Sequence, residues 1–112
     1  MNRALGLLGL TARAGKIQSG EQAAELAIKK GQAKLIILDG AASKGTCKAF
    51  TDACTYYSIP IRITDADALG DAIGKPGRKI AVVTDGKLAE KLADLLPELN
   101  AQDTPHGFTT LD

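Results

Sequence analysis

The residues of this chain able to do chemistry are cations and polar turns rather than nucleophiles and bases. Acid–base or nucleophilic catalysis needs a converging set of groups, and the sequence holds one histidine, His106, beside Pro105 in an aperiodic stretch. No Gly-x-Ser-x-Gly, His-Glu-x-x-His or Walker-type phosphate loop occurs. The turn Gly40-Ala41-Ala42-Ser43 offers helix N-terminal amides to a phosphate, yet it lacks the Lys and second Gly of a phosphate loop. It reads more simply as a strand-to-helix connection. Asp65 and Asp67 stand where carboxylates cap a helix or complement its first turn. Cys47 and Cys54 lie on one predicted helix about 10 Å apart by helical rise, too far for a disulfide. With no Cys-x-x-Cys pair or nearby His, they read as core thiols. The expectation is a protein with no metal, no cofactor and no enzymatic activity.

The cations are more informative once located than when summed. Fourteen Lys and Arg against thirteen Asp and Glu give a net charge of +1, which taken alone argues against a polyanion partner. Residues 1–62, however, hold nine bases and four acids, and the remaining fifty hold five bases and nine acids. Arg13 and Lys16 lead into a predicted helix at Gly20, Lys44 opens another, and Lys75, Arg78 and Lys79 crowd one turn. Gathered on one edge, they form a cationic rim around a helix N-terminus, which suits a phosphate backbone. Scattered, they are solvated surface charge. Aromatic residues are only 4% of the chain, so base stacking on an aromatic sheet is poorly supported.

Positioning such a rim requires a folded scaffold, and 112 residues with 45% hydrophobic content suit one domain with one core. No apolar run approaches the ~20 residues of a membrane span, and Ala4 to Leu10 is a short run broken by Gly6 and Gly9 with no cleavage site after it. A soluble cytoplasmic protein, free of membrane and monomeric, is expected. Periodicity predicts a helix over 2–14 with Leu5, Leu8 and Ala12 on one stripe and Gly15 at its end. After a short extended piece at Lys16-Ile17-Gln18, Ser19 and Gln22 resemble a capping box for a helix to Lys30 with Ala23, Leu26 and Ala27 inward. The apolar run 33–38 reads as a central strand covered on both faces. Ser43 caps a helix from Lys44 to Tyr57, Ile61-Arg62-Ile63 is a strand, and a short helix runs from Asp65 or Asp67 to Ile73. Ile80 to Val83 is a further strand, and a last helix runs from Gly86 to Leu96, ended by Pro97. Alternating helices and short apolar strands imply a three-layer α/β/α sandwich about a small mixed, mostly apolar sheet. Residues 1–97 form the domain, and 98–112 an acidic, loosely structured tail.

The order of several of these segments resembles a known family. The runs 15–22 (GKIQSGEQ), 27–38 (AIKKGQAKLIIL) and 69–75 (LGDAIGK) before the strand at Ile80, with Cys54 to Tyr57 before a Pro-containing strand, look like the ribosomal protein L7Ae and L30e superfamily. Within it the chain resembles the small bacterial YlxQ-type branch. The resemblance covers roughly residues 3–95 and implies an α/β/α sandwich that binds structured RNA, often kink-turns, through the N-terminus of the second helix and two neighbouring loops. Carried onto this chain, it implies an RNA-facing set of Lys16, Ser19, Gly20, Glu21 and Gln22, the loop from Asp39 to Lys44, and the turn comprising Ile73, Gly74, Lys75 and Arg78. Gly20 would let the backbone approach, Lys16 and Lys44 would neutralise phosphates, and Glu21 and Gln22 would read base edges. Kink-turn readers of the superfamily carry Asn at the position of Gln22 and Lys at that of Leu26, so this chain departs from them at two positions.

The function expected is therefore non-enzymatic binding of structured RNA, kink-turn or ribosomal, in association with the ribosome or translation and with ribosomal proteins as further partners. The alternative is a protein-interaction module of translation or ribosome assembly that docks through the acidic C-terminal half. A nucleotide- or phosphate-handling enzyme using Gly40 to Ser43 is the third reading.

Overall fold

A computed structural model describes residues 2–99; the rest of the expected tail, with His106, lies outside the described residues. The helices are α1 (Asn2–Arg13), α2 (Glu21–Lys29), α3 (Lys44–Tyr57), α4 (Ala68–Ile73) and α5 (Gly86–Leu95). The strands are β1 (Ile17–Ser19), β2 (Leu35–Leu38), β3 (Ile61–Ile63) and β4 (Ile80–Val83), in the order β1-β4-β2-β3. β2 and β3 run parallel, whereas β4 is antiparallel to both β1 and β2. The short piece at Lys16 to Gln18 thus becomes an edge strand, paired with a segment more than sixty residues away.

Every residue of β2 and β4 is buried, because alternate side chains leave the sheet on opposite faces and both faces are covered. Ile36, Leu38, Ile80 and Val82 meet Ala24, Ala27 and Ile28 of α2 and Cys47, Phe50 and Cys54 of α3. Leu35, Ile37, Ala81 and Val83 meet Leu8 of α1, Leu69 of α4 and Leu92 of α5. These are the three layers of the expected α/β/α sandwich about a mixed sheet. Both cysteines are buried and free. Burial raises the Cys47 thiol and pushes Cys54 up to about 12, so both stay protonated near neutrality and serve as packing groups.

Local details depart from the sequence reading where backbone geometry decides. The Ser19–Gln22 capping box does not form: α2 starts one residue later than the box requires, its N-cap is Gly20 at φ 101°, and no side chain caps it. The inward stripe of α2 is Ala24, Ala27 and Ile28, rotated from the expected one, which leaves Leu26 52% exposed. Ser43 does cap α3, accepting from the Thr46 amide at 3.1 Å, and Asp85 caps α5 through the Leu88 amide. Asp67 occupies the N-cap position of α4 without capping it; its carboxylate instead pairs with Lys79 at 3.1 Å.

The chain does not loosen at residue 98. The Ile63 amide donates to the Pro97 carbonyl at 3.0 Å, Arg62 and Glu98 form an isolated β-bridge, and Leu99 is buried in the core on the α2/α3 side. Packing therefore continues at least two residues beyond the expected boundary.

Candidate nucleic-acid interface

Strand directions determine which loops can share a site. The C-terminal ends of β1, β2 and β3 meet the N-terminal end of β4 at one end of the sheet. That end collects four connections: Ser19-Gly20 into α2, Asp39 to Ser43 into α3, Thr64 to Asp67 into α4, and the turn from Gly74 to Lys79 into β4.

Gly20 joins two of them. Its amide donates to the Ile80 carbonyl at 3.0 Å, and the Arg78 guanidinium donates to the neighbouring Ser19 carbonyl at 3.2 Å. The positive φ of 101° favours glycine there, and a Cβ would stand 2.7 Å from the Arg78 Nη1, so any side chain at this position would push the guanidinium aside. The turn bearing Arg78 is itself tightly seated. The Lys75 amide donates to the Gly70 carbonyl at 2.8 Å, and a Cβ at Gly70 would fall 2.6 Å from the Lys75 carbonyl.

A third segment is tied in by hydroxyls. The Ser43 hydroxyl donates to Thr46 Oγ1 at 3.0 Å, and the Thr46 hydroxyl donates to Glu21 Oε2 at 3.0 Å. The first turns of α2 and α3 are thus held side by side, with both N-termini and their partial positive charge directed to the same end. Lys44 and Lys75 are exposed there and, like Arg78, form no ion pair among the described residues. Gln22 is exposed in the first turn of α2, with Leu26 one turn further along the same face.

Beneath these loops lies Asp39, 0% exposed. Its carboxylate accepts from the amides of Ala41 (2.8 Å), Asp67 (2.8 Å) and Leu69 (3.0 Å), and from the Thr64 hydroxyl at 3.3 Å. It fixes the connections after β2 and β3 to each other and satisfies the start of α4. This corrects the expectation that Asp39 faces a ligand: the side chain is enclosed and its lone pairs are used. Ile73 is likewise a core residue, 8% exposed against the α1/α4/α5 side of the sheet, because it closes α4 before Gly74 turns the chain at φ 78°. Lys16 is carried to the opposite end: its carbonyl accepts from the Thr84 amide beyond the far end of β4. Four residues of extended chain, about 13 Å, separate it from Gly20.

Of the expected set, Ser19, Gly20, Glu21, Gln22, Lys44, Gly74, Lys75 and Arg78 come to one end. Thr46, which couples Glu21 to α3, was missed, and Leu26, expected on the inward stripe, is exposed beside the site. Thr46 stands three residues after the capping Ser43, a spacing that already brings it beside the cap; Leu26 was singled out by the resemblance as the position where kink-turn readers carry Lys. The arrangement has amides, cations, a carboxylate and a carboxamide at hand. It can bind an anionic polymer and discriminate polar edges.

Comparison with known proteins is consistent with this. The family model described as the ribosomal protein L7Ae/L30e/S12e/Gadd45 family matches residues 2–93. The chain is 44% identical over 91 residues to a protein named RNA-binding protein YlxQ from Bacillus subtilis (strain 168), covering 80% of this chain and 91% of that one. It is 34% identical over 95 residues to a protein of the same name from Enterococcus faecium, covering 84% and 91%. Among solved structures, a protein of unknown function from Bacillus halodurans superposes with a TM-score of 0.81 at 38% identity, over 85% of this chain and 97% of that one. The Giardia lamblia 15.5kD RNA binding protein shares the fold at a TM-score of 0.67 and 20% identity, over 82% of each chain.

Proposed function

This chain belongs to the ribosomal protein L7Ae/L30e/S12e/Gadd45 family, as a YlxQ-type member, and from that premise we propose that it is a non-enzymatic protein binding structured RNA of the ribosome or translation apparatus. The contact surface in this reading is the first turn of α2 with the start of α3 and the turn from Gly74 to Arg78. The observation that carries it is the convergence of these three segments, joined by the Arg78–Ser19 and Thr46–Glu21 hydrogen bonds. Lys44, Lys75 and Arg78 neutralise phosphates, and the amides around Gly20 accept the backbone closely. Gln22, with an exposed carboxamide, reads a base edge; Leu26 supports an apolar contact beside it where a cation would add only non-specific affinity.

Filter binding against kink-turn, ribosomal and unstructured RNAs over a salt series tests this. Structured RNA is expected to bind in preference, with log affinity falling linearly in log salt. Lys44→Gln and Lys75→Gln each reduce the slope by about 1, and Lys16→Gln, at the other end of the sheet, leaves it unchanged. Gln22→Ala changes the ranking of RNAs. No preference for any structured RNA over unstructured RNA refutes the reading.

A further inference from the structure

We propose that the groove between α1 and α5 is a docking site for an acidic amphipathic helix of a partner protein. The groove has a volume of about 740 Å³ and lies on the outer face of the α1/α4/α5 layer. Its floor is apolar, from Leu7 and Leu10 of α1 and Leu95 of α5, and its rim carries Arg3, Arg13 and Lys91 against the single carboxylate of Asp94.

Two residues of α1 are unexplained by the fold. Gly6 sits in the helix interior, where glycine is less favourable than alanine, yet a Cβ there would meet nothing within 4 Å. No packing among the described residues demands it. Leu10, one turn on, is 57% exposed at a position where a charged side chain would serve the isolated fold. A bare strip at Gly6 beside the exposed Leu10 and the half-buried Leu7 and Leu95 suits close approach of another helix, which anchors apolar residues at helical spacing in such a groove. The rim selects the occupant. Three cations and one carboxylate repel a second copy of the same surface and attract a helix flanked by Asp or Glu. A leucine floor without aromatic rings gives bases nothing to stack on, which favours a peptide over RNA.

The test uses the full chain and a fluorescein-labelled synthetic helix of Leu, Ala and Glu with leucines at heptad spacing, beside a twin with Lys for every Glu. Anisotropy is expected to show the acidic helix binding at least about tenfold more tightly than its twin, a difference of about 1.4 kcal/mol. Leu10→Lys separates docking from general attraction by sign. It adds a cation, so a merely electrostatic association tightens, whereas docking weakens by about tenfold. Gly6→Ala is expected to raise Tm by a few degrees, roughly 3–6 °C, while weakening binding of the acidic helix. Equal binding of the twins, tighter binding by Leu10→Lys, or Gly6→Ala without effect on binding overturns the proposal. So does loss of structured-RNA binding in Leu10→Lys with the acidic helix still bound, or a homodimer in sedimentation that Leu10→Lys dissolves.

Discussion

Replacing Asp39 by alanine should destabilise the fold far more than removal of a surface carboxylate would. The carboxylate receives three backbone amides and a hydroxyl, and Leu69 behind it is fully buried. In Asp39→Ala the Leu69 amide loses its partner away from water, at about 1–3 kcal/mol. The amides of Ala41 and Asp67 belong to exposed residues, so water recovers part of their loss, and about 0.5–1 kcal/mol each is a fair allowance. The total, about 2–5 kcal/mol, is a large share of the 5–15 kcal/mol typical of a domain and corresponds to a Tm lower by roughly 10–25 °C. Urea titration followed by far-ultraviolet circular dichroism measures it. Asp39→Asn, which keeps the shape but turns a donor toward two amides, should fall in the same range. A loss below about 0.5 kcal/mol in Asp39→Ala, with native RNA affinity impaired, would refute the reasoning and return Asp39 to the binding surface.

Gly20→Ala forces a positive φ on an L-residue and displaces the Arg78 guanidinium; a loss of about 1–2 kcal/mol is expected, with a larger fall in RNA affinity than that loss of fold explains. Thr46→Val removes the link to Glu21 and should cost under about 1 kcal/mol in urea titration and lower RNA affinity, which Thr46→Ser, keeping the hydroxyl, retains. Because burial holds the Cys54 thiol at about 12 against 9.0 for the unfolded group, its contribution is complete below pH 9 and is lost as pH rises toward 12. The urea midpoint should fall over that window, and less so in Cys54→Val.

What the sequence disclosed about the fold followed from local physics. β2 and β4 were legible because strands covered on both faces are apolar at every position, and α3 because Ser43 caps it from the adjacent residue. Pairings across long separations were not. The partners of Asp39 lie two to thirty residues away, so an aspartate at a strand end read as a surface group. The fate of Lys16 depends on the direction of β1 relative to β4, which no local pattern encodes. Leu26 matched an inward stripe with Ala23 and Ala27, but the positive φ at Gly20 resets where α2 begins and how its face is rotated. The candidate site was legible as a set of segments, and the enclosed members, Asp39 and Ile73, were separable from the exposed ones only by burial.

The short stretch from Pro97 to Leu99 also covers one margin of the sheet. β3 borders the sheet on its outer side with unsatisfied ladder positions, and the Ile63–Pro97 bond, the bridge at Arg62 and the buried Leu99 close that border. A chain cut after Leu96 would keep every helix and strand, yet expose a raw sheet margin and an apolar seam to other molecules, inviting strand-to-strand stacking. These few residues outside any helix or strand thus take the place of a neighbouring strand along β3.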